Sequence, residues 1–211
     1  MSVTKYTDLF NEVLPEVPGV PQPLALNAIR NTVIAFCAGT DIWRQWLDPI
    51  DVECGVNTYD IPLDAGTDLV TLLSVKCDGD KLTPRNEDQL DDWNPRWRTE
   101  LNLPRHYMMQ NQESVVLACV PDRSSPGGLL LSVSLQPERT STSFPGWIYS
   151  QYWEGITAGA KARLMVMPGK PWSNLQQAGI YQAAFDAEIG TARADAARAL
   201  VRSRTVSRST H

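Results

Sequence analysis

The sequence is poor in the residues on which most catalysis and metal chemistry depend. Among 211 residues there are two histidines and four cysteines. No apolar run approaches the roughly 18 residues that a membrane-crossing helix needs. The opening stretch "MSVTKYTDLFNEV" has neither the basic start nor the apolar run of a signal peptide. The expectation is therefore a protein made and assembled in the cytoplasm, without a membrane partner. Cys37, Cys54, Cys77 and Cys119 match no zinc or thioredoxin spacing, and each sits in an apolar stretch. They read as reduced thiols serving as small buried hydrophobes.

Signature motifs are missing too. There is no P-loop, no G-x-G-x-x-G behind a strand, no G-x-S-x-G and no H-E-x-x-H. His211 is the terminal residue, and His106 lies between Arg105 and Tyr107 at the head of a strand, where a lone histidine reads as a surface or edge residue. The acids of "NEDQLDDW" (Glu87, Asp88, Asp91, Asp92) suit the positive end of a helix dipole and a solvated face better than a metal site. Nothing assembles a nucleophile, a base and an orienting group, so no catalytic residue, metal or cofactor is assigned.

What is present begins with charge. The formal net charge is -5, yet the chain closes in "ALVRSRTVSRSTH", with no acid from Ala196 onward. Taking Arg198, Arg202, Arg204 and Arg208 away from -5 leaves -9 on the rest. A body that acidic is a poor general binder of nucleic acid, so attraction to anions falls to the tail.

The hydrophobic pattern sets an architecture. "YTDLFNEVL" places Tyr6, Leu9, Phe10, Val13 and Leu14 on one helical face, and "PEVPGVPQP" ends that helix. "LALNAIRNTVIAFCAG" predicts a second helix with Leu26, Ile29, Val33, Phe36 and Cys37 on one face and Gly39 as its stop. From Trp46 the period shortens to two. "PIDVECGVNTYDIPL" alternates like a half-solvated strand, and "LVTLLSVKCDGDKL" predicts a strand turning at Asp78-Gly79. "TPRNEDQLDDW" suggests a short helix capped by Thr83 with Pro84 behind it. "RHYMMQNQESVVLACV" predicts two strands, and "GGLLLSVSLQP" a further one with Leu129, Leu131, Val133 and Leu135 on one face.

After a polar linker, "RTSTSFPG", the helical period returns. "WIYSQYWEGITAGAKARLMVM" carries small residues at Gly155, Ala158, Gly159 and Ala162, which implies close approach by a neighbouring helix. A last long helix from about Ser173 to Val201 places Leu175, Ala178, Phe185, Ile189, Ala192, Ala196 and Leu200 at three- and four-residue steps. The fold class expected is α+β, with a bundle of N- and C-terminal helices, a central antiparallel β lobe (a small sheet or a sandwich) and an extended tail. The expected divisions are bundle helices in 1–46 and 141–202, the β lobe in 47–140, and the tail in 203–211.

Seven tryptophans complete the inventory. Trp43 and Trp46 in "DIWRQW", and Trp93 and Trp97 in "DDWNPRW", stand in polar, loop-like surroundings. Two readings stay open: core packing of loop-borne aromatics, or anchors of a subunit interface. The flat stripe around Gly155 and Gly159 is a further interface candidate.

The order of elements resembles the head-to-tail adaptor, or connector, proteins of tailed bacteriophages. "ALNAIRNTVIAFCAGTDIW" resembles their helix near the N-terminus, and "TYDIPL" with "LLSVKCDGDKL" their first hairpin region. "LPRHYMMQNQESVVLACVP" and "GWIYSQYWEGITAGAKARLMVMPGKPWSNLQQAGIYQAAFDAEI" resemble their later strands and closing helices. "LNLPRHY" departs from the pattern in having no glycine before the proline.

The resemblance implies a non-enzymatic virion protein of the neck, podophage-like. It implies a ring, usually of twelve copies, that joins portal to tail or nozzle protein and passes genomic DNA without sequence-specific binding. It also implies that the C-terminal segment, with Arg198, Val201, Arg202, Arg204, Val206 and Arg208, docks on the portal. A frayed terminus is the plain alternative for that segment. A tail-completion or nozzle subunit, and a nucleic-acid-binding protein using the arginine tail, are the other readings of the chain.

Overall fold

The computed structural model describes residues 2–206, and the side chains up to residue 198. In chain order the elements are β1 (Val3–Lys5), a helical run made of a 3-10 turn (Tyr6–Leu9), α1 (Phe10–Val13) and a second 3-10 turn (Leu14–Glu16), then α2 (Gln22–Thr40). The strands β2 (Arg44–Trp46), β3 (Ile50–Val52), β4 (Thr58–Asp60), β5 (Thr67–Cys77), β6 (Asp80–Lys81) and β7 (Thr83–Pro84) follow. Next come α3 (Glu87–Trp93), β8 (His106–Met109), β9 (Ser114–Ala118), β10 (Ser125–Pro137) and β11 (Ser143–Pro145). The chain closes with α4 (Gly146–Met165) and α5 (Leu175–Val206). The fold is α+β, and it divides into two compact units, residues 1–43 with 136–211 and residues 44–135.

In the first unit the helices bury the stripes that the sequence marks. Tyr6, Leu9 and Val13 of the first run and Ile29, Val33, Phe36 and Cys37 of α2 are fully buried. They meet Ile148, Ile156 and Leu164 of α4 and Phe185 and Ala192 of α5 in one core. Burial pushes the Cys37 thiol up to about 12. Phe36 lies 5.2 Å from the ring of Tyr152 and 6.4 Å from that of Phe185, so it links α2, α4 and α5 at one level.

Several local expectations are corrected here. Gly39 does not stop α2, because the chain reverses one step later at Asp41, which takes the left-handed conformation at φ 49°. Gly39 stays inside the last turn, facing Ile189, and its carbonyl accepts from Arg193 Nε of α5. The "RTSTSFPG" linker contains β11, which pairs antiparallel with β1 and ties the N-terminal segment to the start of α4. Neither three-residue strand is long enough to display a period. Gly146 N–H donates to the Ser2 carbonyl at 2.9 Å, and a Cβ at Gly146 would stand only 3.2 Å from that same carbonyl oxygen, so the segment sits close against the start of α4.

α5 departs further from expectation. Its buried positions described are Ala178, Phe185, Ala192 and Ala196, whereas Leu175 is 70% exposed. The helix also runs on to Val206, so no extended tail starts at residue 203. Positions 202, 204 and 206 therefore lie on helical backbone, while Arg208 falls outside the described residues.

The second unit holds two sheets. One is antiparallel, in the order β2-β10-β5-β6 with β3 also on β10. Its inward face is the predicted row Leu129, Leu131, Val133 and Leu135, all within 1% of complete burial. The turn from β5 to β6 is the predicted Asp78-Gly79, with φ of 50° and 89°, the paired positive angles of a tight hairpin. The other sheet runs β4-β9-β8-β7, and its β7–β8 pair is parallel, not antiparallel as expected.

That parallel pair has a cause in the sequence read as "TPRNEDQLDDW". Thr83 is in β7, where its N–H donates to Arg105 O at 3.0 Å, so it caps nothing. Asn86 caps α3 instead: its side chain accepts from Gln89 N at 2.9 Å and Gln89 returns the bond, a reciprocal pair that starts the helix three residues late. α3 and the loop after it then form the crossover that a parallel neighbour needs. Leu90 and Trp97 of this crossover pack on Val116, Ala118 and Cys119. Cys54, predicted buried, is exposed in the turn after β3.

Candidate interaction surfaces

Each candidate side chain takes its exposure from the element that carries it. Gly155 and Gly159 are both turned inward. A Cβ on Gly155 would stand 2.4 Å from Glu188 Cγ, and one on Gly159 would stand 2.6 Å from the Thr32 methyl and 2.8 Å from the Phe185 ring. The close approach is therefore between α4 and the chain's own α5 and α2, and the stripe presents no face to a second copy. Trp97 is likewise enclosed at 3% exposure, its Nε1–H donating to Asp91 at 2.8 Å and its ring carrying Arg98 at 4.4 Å. Trp43 is half-buried against the helical core.

Two of the six interface candidates remain open to solvent. Trp46 on β2 is 53% exposed with the Lys76 ammonium 5.3 Å above its ring. Trp93, at the end of α3, is 40% exposed and meets the His106 ring edge-on at 4.6 Å. Sequence reasoning did not single out Trp153, 38% exposed on α4.

Two of the four acids of α3, Glu87 and Asp91, are tied within the chain. Arg98 bridges Glu87 and Asp91, and together with the Trp97 indole it holds the Asp91 carboxyl below its ordinary range. Among the described residues no group of three or more His, Cys, Asp and Glu is placed to hold a metal ion. Nor is any helix among them long and apolar enough to cross a membrane.

His106 proves to be neither exposed nor at an edge. It sits on β8 between Thr83 of β7 and Ala118 of β9, half-buried, with Nδ1 enclosed and unpaired. Burial first, and then the guanidinium groups of Arg85 and Arg105, hold its pKa below the usual histidine value. Neither arginine has an ion-pair partner among the described residues. Arg85 reaches only the Gln89 carbonyl, at 3.5 Å. Two unpaired arginines, a histidine and an exposed tryptophan thus share one small surface.

The helical unit has a surface of the opposite sign. Ile42, Gln151, Tyr152, Glu188, Thr191 and Asp195 line a cavity of about 520 Å³. Tyr152, where α4 kinks at φ -129° and ψ 21°, is among the lining residues, and its hydroxyl donates to Asp195 at 3.4 Å. Burial, then the charges of Glu154 and Asp195, raise the Glu188 carboxyl above its ordinary value. Neither Glu154 nor Glu188 has a cationic partner among the described residues. No sequence signal groups these acids, since they come from two helices more than thirty positions apart along the chain.

The end of α5 is the third surface. Ala196 is its last buried position described, and the helix continues ten residues beyond it to Val206. Arg198 is exposed there, with only a 3.4 Å contact to Asp195. Residues 201, 202, 204 and 206 follow on the same helical backbone.

No curated protein matches the chain. The sequence profile of the SU10 adaptor proteins matches residues 4–208, which takes in both compact units and the whole of α5. A match over nearly the full length, across a helical unit interrupted by a β unit, makes this chain a member of the SU10 adaptor protein family, a phage adaptor.

Proposed function

We propose that the chain is one subunit of a ring in the virion neck, assembled in the host cytoplasm, that joins the portal of the capsid to the tail. The ring, of twelve copies in this reading, leaves an axial passage for the genome. Portal protein docks at the C-terminal end of α5, and a tail or nozzle protein takes the opposite side. The acidic charge of the body supports a passage that repels phosphate and lets DNA slide.

One observation carries the portal end of this reading. α5 continues ten residues past its last buried position described and leads into Arg202, Arg204 and Arg208 with no acid after Asp195. At about 1.5 Å per residue, that is roughly 15 Å of helical backbone beyond Ala196. A terminus of this kind docks on another protein through arginine–carboxylate pairs. Truncation after Leu200 tests it. The shortened protein keeps its helical circular dichroism but no longer co-sediments with portal. Undiminished portal binding would show that α5 ends in nothing more than a helix end. DNA binding that survives truncation and falls steeply with salt would instead favour a nucleic-acid role.

A further inference from the structure

The basic and the acidic surfaces described above belong to different units of the chain; Arg85 and Arg105 have no ion-pair partner among the described residues, Glu154 and Glu188 have none, and Asp195 has only the exposed Arg198 at 3.4 Å. Arg85 and Arg105 come together because β7 and β8 pair in parallel, with Thr83 opposite His106 and Pro84 opposite Tyr107. That register brings both guanidinium groups close enough to the His106 ring for their charge to act on it, and Trp93 meets the ring edge-on at 4.6 Å. Holding two like charges and a buried imidazole nitrogen together is unfavourable unless something negative covers them. The rest of the chain carries the excess of acid, at a net -5 overall. Arginine and tryptophan side by side are also the usual anchors of a protein interface.

The acidic cavity has the matching form. Glu188 and Asp195 line a recess of about 520 Å³, enough for the planar head of an arginine or an indole. Gln151 and Thr191 add uncharged hydrogen-bonding groups to its wall, and Ile42 an apolar one. The Glu188 stem is packed against Gly155, so its carboxylate is directed by the α4–α5 contact rather than free to swing away.

We propose that the Arg85–Arg105–Trp93 surface of one copy docks on the Glu188–Asp195 cavity of the next. The contact joins two different faces, which is the heterologous type that repeats round a ring; an isologous pair would stop at two. It rests on the ring reading above and supplies that ring with a residue-level subunit contact. It also gives Trp93 an interface role while leaving Trp97 to the core. A contact led by charge assembles more weakly as salt rises.

Charge exchange tests this directly, by native mass spectrometry of the full-length chain, alone and mixed with its portal protein. In Arg85→Glu/Arg105→Glu both surfaces are acidic, and in Glu188→Lys/Asp195→Lys both are basic. Each double variant alone remains at the 23.5 kDa monomer mass under conditions where the wild type forms the ring. An equimolar mixture restores the ring, because each variant's altered face now meets an opposite charge on the other. Lysine at 188 keeps the methylene stem against Gly155, and circular dichroism checks that each variant is folded. For a variant that does not fold, Arg85→Gln/Arg105→Gln or Glu188→Gln/Asp195→Asn replaces it and loses assembly in the same way. Ring formation by any of these double variants alone, or a mixture of the two folded charge-reversed variants that stays monomeric, overturns the contact. A wild type that stays monomeric both alone and with portal overturns the ring reading itself.

Discussion

Replacing Gly159 with alanine sets helix propensity against packing, and the structure decides the sign. In an exposed helix interior, glycine to alanine gains about 1 kcal/mol because alanine restricts the unfolded backbone and favours the helix. At Gly159 the added methyl would lie 2.6 Å from the Thr32 methyl on α2 and 2.8 and 2.9 Å from two Phe185 ring atoms on α5. Ordinary carbon contacts need about 3.5 Å or more, so two helices must each retreat by several tenths of an ångström. Neither neighbour can step aside: Thr32 is β-branched and fully buried, and Phe185 is 4% exposed within the same core. Overpacking of this kind costs about 1–3 kcal/mol. With two neighbours in clash at once the cost falls in the upper part of that range, about 2–3 kcal/mol, which less the gain of about 1 leaves a net loss of about 1–2 kcal/mol for Gly159→Ala. Gly190 on α5 is the control, since nothing lies within 4 Å of its Cβ position, and Gly190→Ala should gain up to about 1 kcal/mol. Urea unfolding followed by far-ultraviolet circular dichroism reads both. With a slope of about 2 kcal/mol per molar, the two midpoints should part in opposite directions by about 1 M in total. If both variants raise the midpoint alike, the close approach of α4 to its neighbours is not what holds glycine at 159.

Two further perturbations follow from buried charge. Lys161 is 8% exposed and bonds Glu16 at 2.6 Å, whereas the Glu16 side chain is 44% exposed. Glu16→Ala therefore strands a buried ammonium and should cost about 3 kcal/mol, more than Lys161→Met, which leaves a carboxylate that water can reach; the order of their urea midpoints checks this. The raised carboxyl of Glu188 binds its proton more tightly folded than unfolded, so its contribution favours the fold below the ordinary value of 4.5 and is lost as pH rises through the folded value. Glu188→Gln should accordingly raise the thermal midpoint at pH 7, and the gain should vanish as pH falls below 4.5. A gain that does not change with pH would trace to something other than the Glu154–Glu188–Asp195 repulsion.

Legibility followed the length of each pattern. The row Leu129 to Leu135 and the stripe Ile29 to Cys37 were readable because several side chains in register report one face. The Asp78-Gly79 turn was readable because positive φ at two successive positions restricts the residue types. β1, β7 and β11 were not, since strands of two or three residues have no period and exist only through their partners. The cap of α3 was misplaced because Thr83 is chemically a good cap, and only its backbone bond to Arg105 shows it is otherwise engaged. The tryptophans divided for a similar reason: nothing in "DDWNPRW" says that Trp97 turns onto Val116 while Trp93 stays outside.

By itself, then, the sequence determined the fold class, the order of helix and strand, the lack of catalytic motifs and the contrast between an acidic body and an arginine-bearing end. Those are properties of composition and of local period, which each segment carries wherever it is placed. Only the tertiary structure decided that the glycine stripe of α4 faces α5 and α2 within the chain. It alone gathered Arg85, Arg105 and His106 across paired strands, and Glu188 and Asp195 around Tyr152. Surfaces of that kind arise from residues distant in sequence. Which charges end up neighbours is set by strand register and helix packing, not by their spacing along the chain.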